Sequence, residues 1–583
     1  MAEPGTQLTG LGKVISVILI VGLVAAGVVV MLGRGGNEPT GAGTTGGRPA
    51  PGGGAAPAEP VADPAVEAPD LTGVTTVKEY SFVANERLPE VKGVSNYRWD
   101  ENEKVLRFTY NVWAGWLPVI AANHGTKANE DSVFFKKYGF KVELVLMDDP
   151  VAARDAYAVG EVHTLWGTAD MIALFAGELV RDSRTAPRVV QQVDWSNGGD
   201  GIVVRGNIRS VKELKGKTIA LAQNSPSEYY LTTLLLSAGM KPADVRMRFT
   251  ATAFEAAAAF VADRAIDACV SWAPDIYNIP DRVAGTRILS TTAEANKLIA
   301  DVYAVRADFV RDHPEIVEGL VAGIFEGMDL VESDPVPAAG WMAEAFGMKS
   351  EEVLAMRQDA HATNFTENVQ FFLNASNPTN FERTWRNCNY VYRTLGRIDN
   401  PVPFDSVMDF TFIRKLETAG TFKHQADRSK PSFTPAAFRE IPAESPILTQ
   451  TIRINFYPNS ANPFESARDN FDQVIVGKLY DPNVAETLEQ VARLSGQFDR
   501  AVILIEGHTD SSMKGRVPVQ AVMDLSTARA NAIKQSLIDK YHFDPNKFSV
   551  RGLGWDRPAD LSDAGNQALN RRVEVSVFPP EQE

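Results

Sequence analysis

Cysteine is nearly absent from this chain. Cys269 and Cys388 are the two in 583 residues. Two thiols cannot make a closed zinc site on their own, and Cys269 lies in an apolar run beside Ala268 and Val270. Both therefore read as small buried hydrophobes rather than as a disulfide. Histidine is also sparse, with seven copies and neither an H-E-x-x-H pattern nor paired metal spacing, so no metal and no cofactor are expected. A basic block is lacking too: net charge is −15, which argues against nucleic acid and against simple adhesion to anionic lipid. No G-x-S-x-G or other nucleophile arrangement occurs, and Lys215 to Thr218 fails as a phosphate loop because Val211 stands where its first glycine belongs. The chain is expected not to be an enzyme.

What is present organises itself by composition. At about 150 residues per domain, a chain of this length predicts three or four units, and its 44% hydrophobic content suits folded cores. Residues 1–13 read as a short cytoplasmic tail. The stretch 14–33 contains Val14 to Leu32, an uncharged run flanked by Lys13 and Arg34 and long enough to cross a bilayer. No A-x-A site follows, so an uncleaved inner-membrane anchor is preferred to a cleaved signal peptide, with the bulk in the periplasm. Residues 34–97 begin with a Gly/Pro/Ala/Thr-rich tract and read as a flexible linker.

From 98 to 418 short β-rich runs alternate with amphipathic helices. Leu106 to Tyr110, Val142 to Met147, Gly201 to Val204, Thr218 to Ala222, Ala268 to Ser271 and Val302 to Val305 predict strands. Ser227 to Ala238 and Phe254 to Ala262 predict helices. Such alternation over this length predicts an α/β sheet fold in two lobes. Residues 419–447 carry Pro431, Pro435 and Pro442 and read as a second linker. Over 448–583, Ile452 to Phe456 predicts an opening strand and Ala501 to Ile505 another. Glu486 to Leu494 and Ser526 to Tyr541 predict helices, and Val573, Val575 and Val577 a closing strand.

The last domain carries four separated blocks: I-E-G-H-T-D (Ile505 to Asp510), L-S-T-A-R-A (Leu525 to Ala530), R-G-L-G-W-D-R-P (Arg551 to Pro558) and N-R-R-V-E (Asn570 to Glu574). In that order they resemble the OmpA-like peptidoglycan-binding domain, an α+β fold. The resemblance implies that Asp510 takes the amine of diaminopimelate and Arg529 its carboxylate, with Thr509, Asn570 and Arg571 in support. One carboxylate and one planar guanidinium fork suit a zwitterion. The chain departs from the family at Val522, where asparagine is usual, and in a longer loop from Ser511 to Ala521.

A second resemblance covers Leu106 to Phe372. The runs W-A-G-W-L-P-V-I-A-A-N-H-G (Trp113 to Gly125), F-F-K-K-Y-G-F-K-V-E (Phe134 to Glu143), G-T-A-D (Gly167 to Asp170) and G-D-G-I-V-V-R (Gly199 to Arg205) come first. S-V-K-E-L-K-G-K-T-I-A (Ser210 to Ala220), D-A-C-V-S-W-A-P-D (Asp267 to Asp275) and D-H-P-E-I-V (Asp312 to Val317) follow. Together they look like the substrate-binding proteins of ABC importers, of the nitrate/sulfonate/taurine class. That implies a two-lobed periplasmic-binding-protein fold around a small polar solute, an anion or zwitterion. Trp113, Trp116, Thr168, Asp170, Ser225, Ser227, Trp272 and Asp275 are the candidate contacts. Ser225 is read as a helix N-cap, with Pro226 next and Glu228 three residues on.

The two resemblances combine into a non-enzymatic receptor fixed to both inner membrane and peptidoglycan, with an ABC permease or another membrane complex as partner and a homodimer allowed. The alternative is a scaffold subunit of a stator-like complex whose clamp binds protein. Val14 to Leu32 contains no acid, which counts against a proton path through this helix.

Overall fold

A computed structural model describes residues 74–579 apart from 148, 348, 429, 436–445, 458, 564 and 566–569. The anchor expected over Val14 to Leu32 lies outside the described residues, as does the linker up to 73. Among the described residues no helix is long and apolar enough to cross a membrane.

The first lobe holds two sheets. Strands β1 (Val105–Tyr110) and β2 (Lys141–Leu146) pair in parallel. The second sheet uses β3 (Thr164–Thr168), β4 (Pro187–Ser196), β10 (Ala300–Arg306) and β11 (Ala360–Ala362), in the order β11-β4-β10-β3. The second lobe is a five-stranded sheet ordered β7-β6-β8-β5-β9. Its members are β5 (Asp200–Arg205), β6 (Thr218–Ala222), β7 (Arg246–Thr250), β8 (Ala268–Trp272) and β9 (Thr286–Thr291). The expected strands and the two-lobed alternation are all found. Their apolar runs, such as Ile202–Val204 and Leu165–Trp166, are buried, as strands covered by helices require. Between β4 and β10 the chain crosses between lobes twice, at 196–200 and at 291–300.

Two helices point their first turns toward the crossover. Helix α1 (Ala169–Leu179) follows β3 directly and is capped by Thr168, whose Oγ1 accepts from Met171 N at 3.4 Å. Helix α2 (Pro226–Ser237) starts with proline, as expected, but Ser225 makes no side-chain cap. Its Oγ donates back to Ala222 O at 2.8 Å, and Glu228 instead accepts from Asn224 N at 2.7 Å. A later helix, α3 (Phe381–Thr394), packs across the starts of both.

Residues 74–97, read as part of a flexible linker, are laid along both lobes. Thr76 donates through N and Oγ1 to Asp275 of the second lobe, and Val83 bridges to Phe249. On the first lobe Arg154 Nη1 donates to Pro89 O and Arg306 Nη2 to Ser95 O. The strap is held by these hydrogen bonds and by scattered apolar side chains, Val77, Phe82, Leu88 and Tyr97 among them, that pack on the lobes without a helix or strand period, so its sequence hides it.

The last domain is a four-stranded sheet ordered β12-β17-β15-β16, from β12 (Leu448–Ile452), β15 (Val502–Gly507), β16 (Phe548–Gly552) and β17 (Val573–Phe578). Helices α4 (Val484–Gln497) and α5 (Val519–Tyr541) cover it. The opening strand lies four residues earlier than expected, because Asn455 and Phe456 leave the sheet to serve a pocket. A separate hairpin, β13 (Ser466–Arg468) with β14 (Val474–Leu479), projects from this domain with Val476 94% exposed. At Gly507 a Cβ would stand 2.1 Å from Ser526 O, so only glycine lets α5 lie this close to β15.

The domain rests on the lobe crossings. Lys297 Nζ meets Asp499 Oδ2 at 2.8 Å, Asp499 N donates to Asn296 Oδ1, and Arg500 Nη1 donates to Asn197 Oδ1. Both cysteines are free and buried.

Candidate functional sites

The first site lies at the C-terminal end of β15. The strand stops at Gly507 and the chain turns through His508, Thr509 and Asp510. Asp510 Oδ1 accepts from Ser512 N at 2.7 Å, which closes the turn, and Oδ2 lies 3.5 Å from Arg571 Nε. Arg529 rises from α5 under the same loop. Its Nε donates to Ser460 O at 3.1 Å, and its guanidinium carbon sits 4.8 Å from the centre of the Phe456 ring. Burial and then the charge of Arg571 push the Arg529 pKa down, and Asp510 opposes them. Arg529 and Arg571 border a cavity of about 210 Å³, lined also by Asn455, Phe456, Tyr480, His508 and Arg572, and Asp510 stands beside it against Arg571.

Asp510, Arg529 and Arg571 are thus brought together. Thr509 is buried beside them, and its Oγ1 has no hydrogen-bond partner. Asn570 accepts from Ala559 N at 2.8 Å and so braces the neighbouring loop. Sequence reasoning missed Phe456, Tyr480, His508 and Arg572 as lining. His508 and Arg572 stood inside the quoted blocks, whereas nothing local marks Tyr480. Burial, followed by the charge of Arg572, drives the His508 pKa down to about 4, so the ring is neutral at pH 7.

The second site is the region where the two lobes meet. Trp113 Nε1 donates to Asp194 Oδ2 at 3.0 Å, and its ring lies over Gly199, where a Cβ would fall 2.8 Å from it. Trp116 is core: it is 1% exposed, bonded to Asn111 Oδ1 and packed edge-on to Phe108. Thr168 caps α1, and Asp170 in its first turn accepts from the Tyr392 hydroxyl at 2.8 Å. The same hydroxyl donates to Ser225 O at 3.2 Å, which bridges the starts of α1 and α2. Ser227 is fully buried with an unpartnered Oγ.

Trp272 packs edge-on against Phe254, and Asp275 is engaged by Thr76 of the strap. Sequence reasoning missed Asp194, Asp200, Asp301, Tyr392 and Arg397. Arg397 pairs with Glu228 at 2.6 Å, with side-chain exposures of 5% and 0%, and also donates to Asn85 and to Glu86 O.

Two family models match the chain, one described as NMT1/THI5 like over 128–338 and one as OmpA family over 477–572. The chain carries an NMT1/THI5-like domain and a C-terminal OmpA domain. The outer membrane protein Omp38 of Acinetobacter baumannii is 33% identical over 131 residues, covering 22% of this chain and 31% of that protein. A protein of Brucella abortus named as a binding protein is 28% identical over 138 residues, covering 23% and 43%. The chain spans less than half the length of these curated relatives. Among solved structures, the periplasmic aliphatic sulphonate binding protein SsuA from Escherichia coli aligns with a TM-score of 0.40 and 18% identity, covering 52% of this chain and 97% of that one.

Proposed function

We propose that this chain is a solute-binding protein fixed to the cell wall. The OmpA domain would hold the diaminopimelate of peptidoglycan, with Arg529 and Arg571 facing its carboxylate and Asp510 its amine. Thr509 and Asn570 shape the loop. The NMT1/THI5-like domain would take a small polar solute between its lobes. Val14 to Leu32 would anchor the chain in the inner membrane, placing both domains in the periplasm, with an ABC permease or another membrane complex as recipient. No catalysis is assigned to it. The single observation that carries this reading is the convergence of Arg529 and Arg571 on the 210 Å³ cavity, with Asp510 3.5 Å behind Arg571.

The test is co-sedimentation of the full chain, solubilised in detergent, with purified sacculi. The wild type is expected in the pellet and Arg529→Ala in the supernatant. An Arg529→Ala chain that pellets as fully as wild type would sink the site assignment. A scaffold reading draws on a different observation: Asp275 and Glu228 are already occupied by the chain's own Thr76 and Arg397.

A further inference from the structure

Four carboxyl groups meet where the lobes join. Across the first-lobe sheet, Thr168 of β3 faces Asp301 of β10, and Asp301 faces Asp194 of β4, in a single row. Asp170 lies two residues beyond Thr168, and Asp200 opens β5 just after the crossing. Their exposures are 8% for Asp301, 0% for Asp194, 1% for Asp170 and 7% for Asp200. Their hydrogen-bond partners carry no positive charge: the Trp113 indole and the Asp301 carboxyl on Asp194, the Tyr392 hydroxyl on Asp170 and the Ser196 hydroxyl on Asp200. Among the described residues none of the four forms an ion pair with lysine or arginine.

Burial without a counter-ion pushes all four pKa values up, Asp170 to about 6 and Asp200 to about 7. The facing pair Asp194 and Asp301 rises with them through burial, and the charge of Asp194 adds to the rise of Asp301. His361 on β11 and the half-buried Asp359 also act on the cluster, as do Tyr392, Tyr229 and Cys388 beside Asp170 and Tyr230 and Tyr277 beside Asp200.

A second feature shows that the cluster is not satisfied by its own surroundings. Asp170 Oδ1 is a buried acceptor oxygen with no hydrogen-bond partner, and Asp194 Oδ1 has none beyond the neighbouring Asp301 carboxyl. So is the Ser227 hydroxyl, contributed by the other lobe, at the start of α2 beside the Tyr392 bridge. Orphaned buried oxygens from both lobes call for a donor between them. Among the described residues no group of His, Cys, Asp or Glu has the arrangement of a metal site.

We propose that this cluster is the solute site and that its ligand is a small organic cation bearing N–H donors, a protonated amine or guanidine. The inference rests on reading the NMT1/THI5-like domain as solute-binding. It replaces the expected anion or zwitterion with a cation. An anion here would face four carboxyls with no arginine or lysine to hold it. A cation displaces the shared protons and supplies the donors that Asp170 and Asp194 lack. Entry requires the lobes to part about the crossings at 196–200 and 291–300.

The experiment is calorimetry and thermal shift on the full chain in detergent. The probes are putrescine and agmatine, set against choline, methanesulfonate and nitrate. Putrescine or agmatine is expected to bind with net proton release, and choline, which has no N–H donor, to bind less tightly. Asp194→Asn is expected to weaken the amine at least about tenfold, the scale of losing a charged hydrogen bond, while the two-lobed domain keeps its own cooperative thermal transition, which reports its folding. Asp170→Asn serves as the second variant. Binding of methanesulfonate or nitrate without the amines would overturn the cation assignment and leave the solute-binding reading standing. Amine binding unchanged in both variants would overturn the site. Silence from every probe would overturn the amine assignment.

Discussion

The wall pocket and the inter-lobe site are polar sites of opposite kind in one chain. In the pocket, arginines outnumber acids, Asp510 is matched by Arg571, and the cavity opens to solvent, with the Arg571 side chain 53% exposed. Between the lobes, acids stand without cations and are held by burial in partly protonated form. The contrast sets where each proposed site would draw its ligand affinity. The pocket presents ready charge, so it responds to salt. The inter-lobe site presents charge only as protons leave, so it responds to pH and to cations.

The predictions separate the two, beginning with the largest effect. Arg397→Ala strands Glu228 in the second lobe without its partner. Breaking so buried a pair costs about 3–5 kcal/mol, so urea unfolding of the NMT1/THI5-like domain should shift strongly while sedimentation with sacculi persists. Next in size, Arg529→Ala should weaken sacculus binding by at least about tenfold and leave the amine-induced thermal shift unchanged.

The pH dependences should run in opposite directions. Acids whose folded pKa is raised favour the fold below their unfolded pKa and lose that contribution as pH climbs to the folded value. Asp170, Asp200 and Asp359, raised to about 6, 7 and 6, should therefore destabilise the two-lobed domain as pH rises from about 4 to about 7. His163, lowered to about 4 by burial, opposes them in part. In the OmpA domain His508 is lowered to about 4, so that domain should lose stability as pH falls from about 6.5 to 4. Thermal scans resolving two transitions would check this. Both transitions moving the same way would count against it. The smallest effect is expected of Ser225→Ala, within about twofold in amine affinity, because its hydroxyl already serves Ala222 O.

These contrasts also account for what the sequence showed and what it hid. The OmpA site is built from residues that sit inside contiguous blocks, so Asp510, Arg529 and Arg571 were legible, and so were the strand and helix periods around them. The inter-lobe acids belong to a row across strands more than a hundred residues apart, Asp194 to Asp301, and no local pattern records such a pairing. Trp116 looked like a cleft residue because tryptophan at a strand end serves core and pocket equally well. Asp275 looked free because its partner, Thr76, lies in a segment whose composition reads as unstructured. Tyr392 and Arg397 lie beyond the stretch that resembles binding proteins.

The most direct test of a wall-held receptor with two independent sites uses labelled putrescine, sacculi and the full chain in one sedimentation assay, corrected for amine bound by sacculi alone. The account predicts that wild type carries the amine into the pellet. Arg529→Ala should leave both protein and amine in the supernatant, and Asp194→Asn should pellet without amine. Amine pelleting equally with wild type and Asp194→Asn, or failing to pellet with wild type that has itself sedimented, would contradict it.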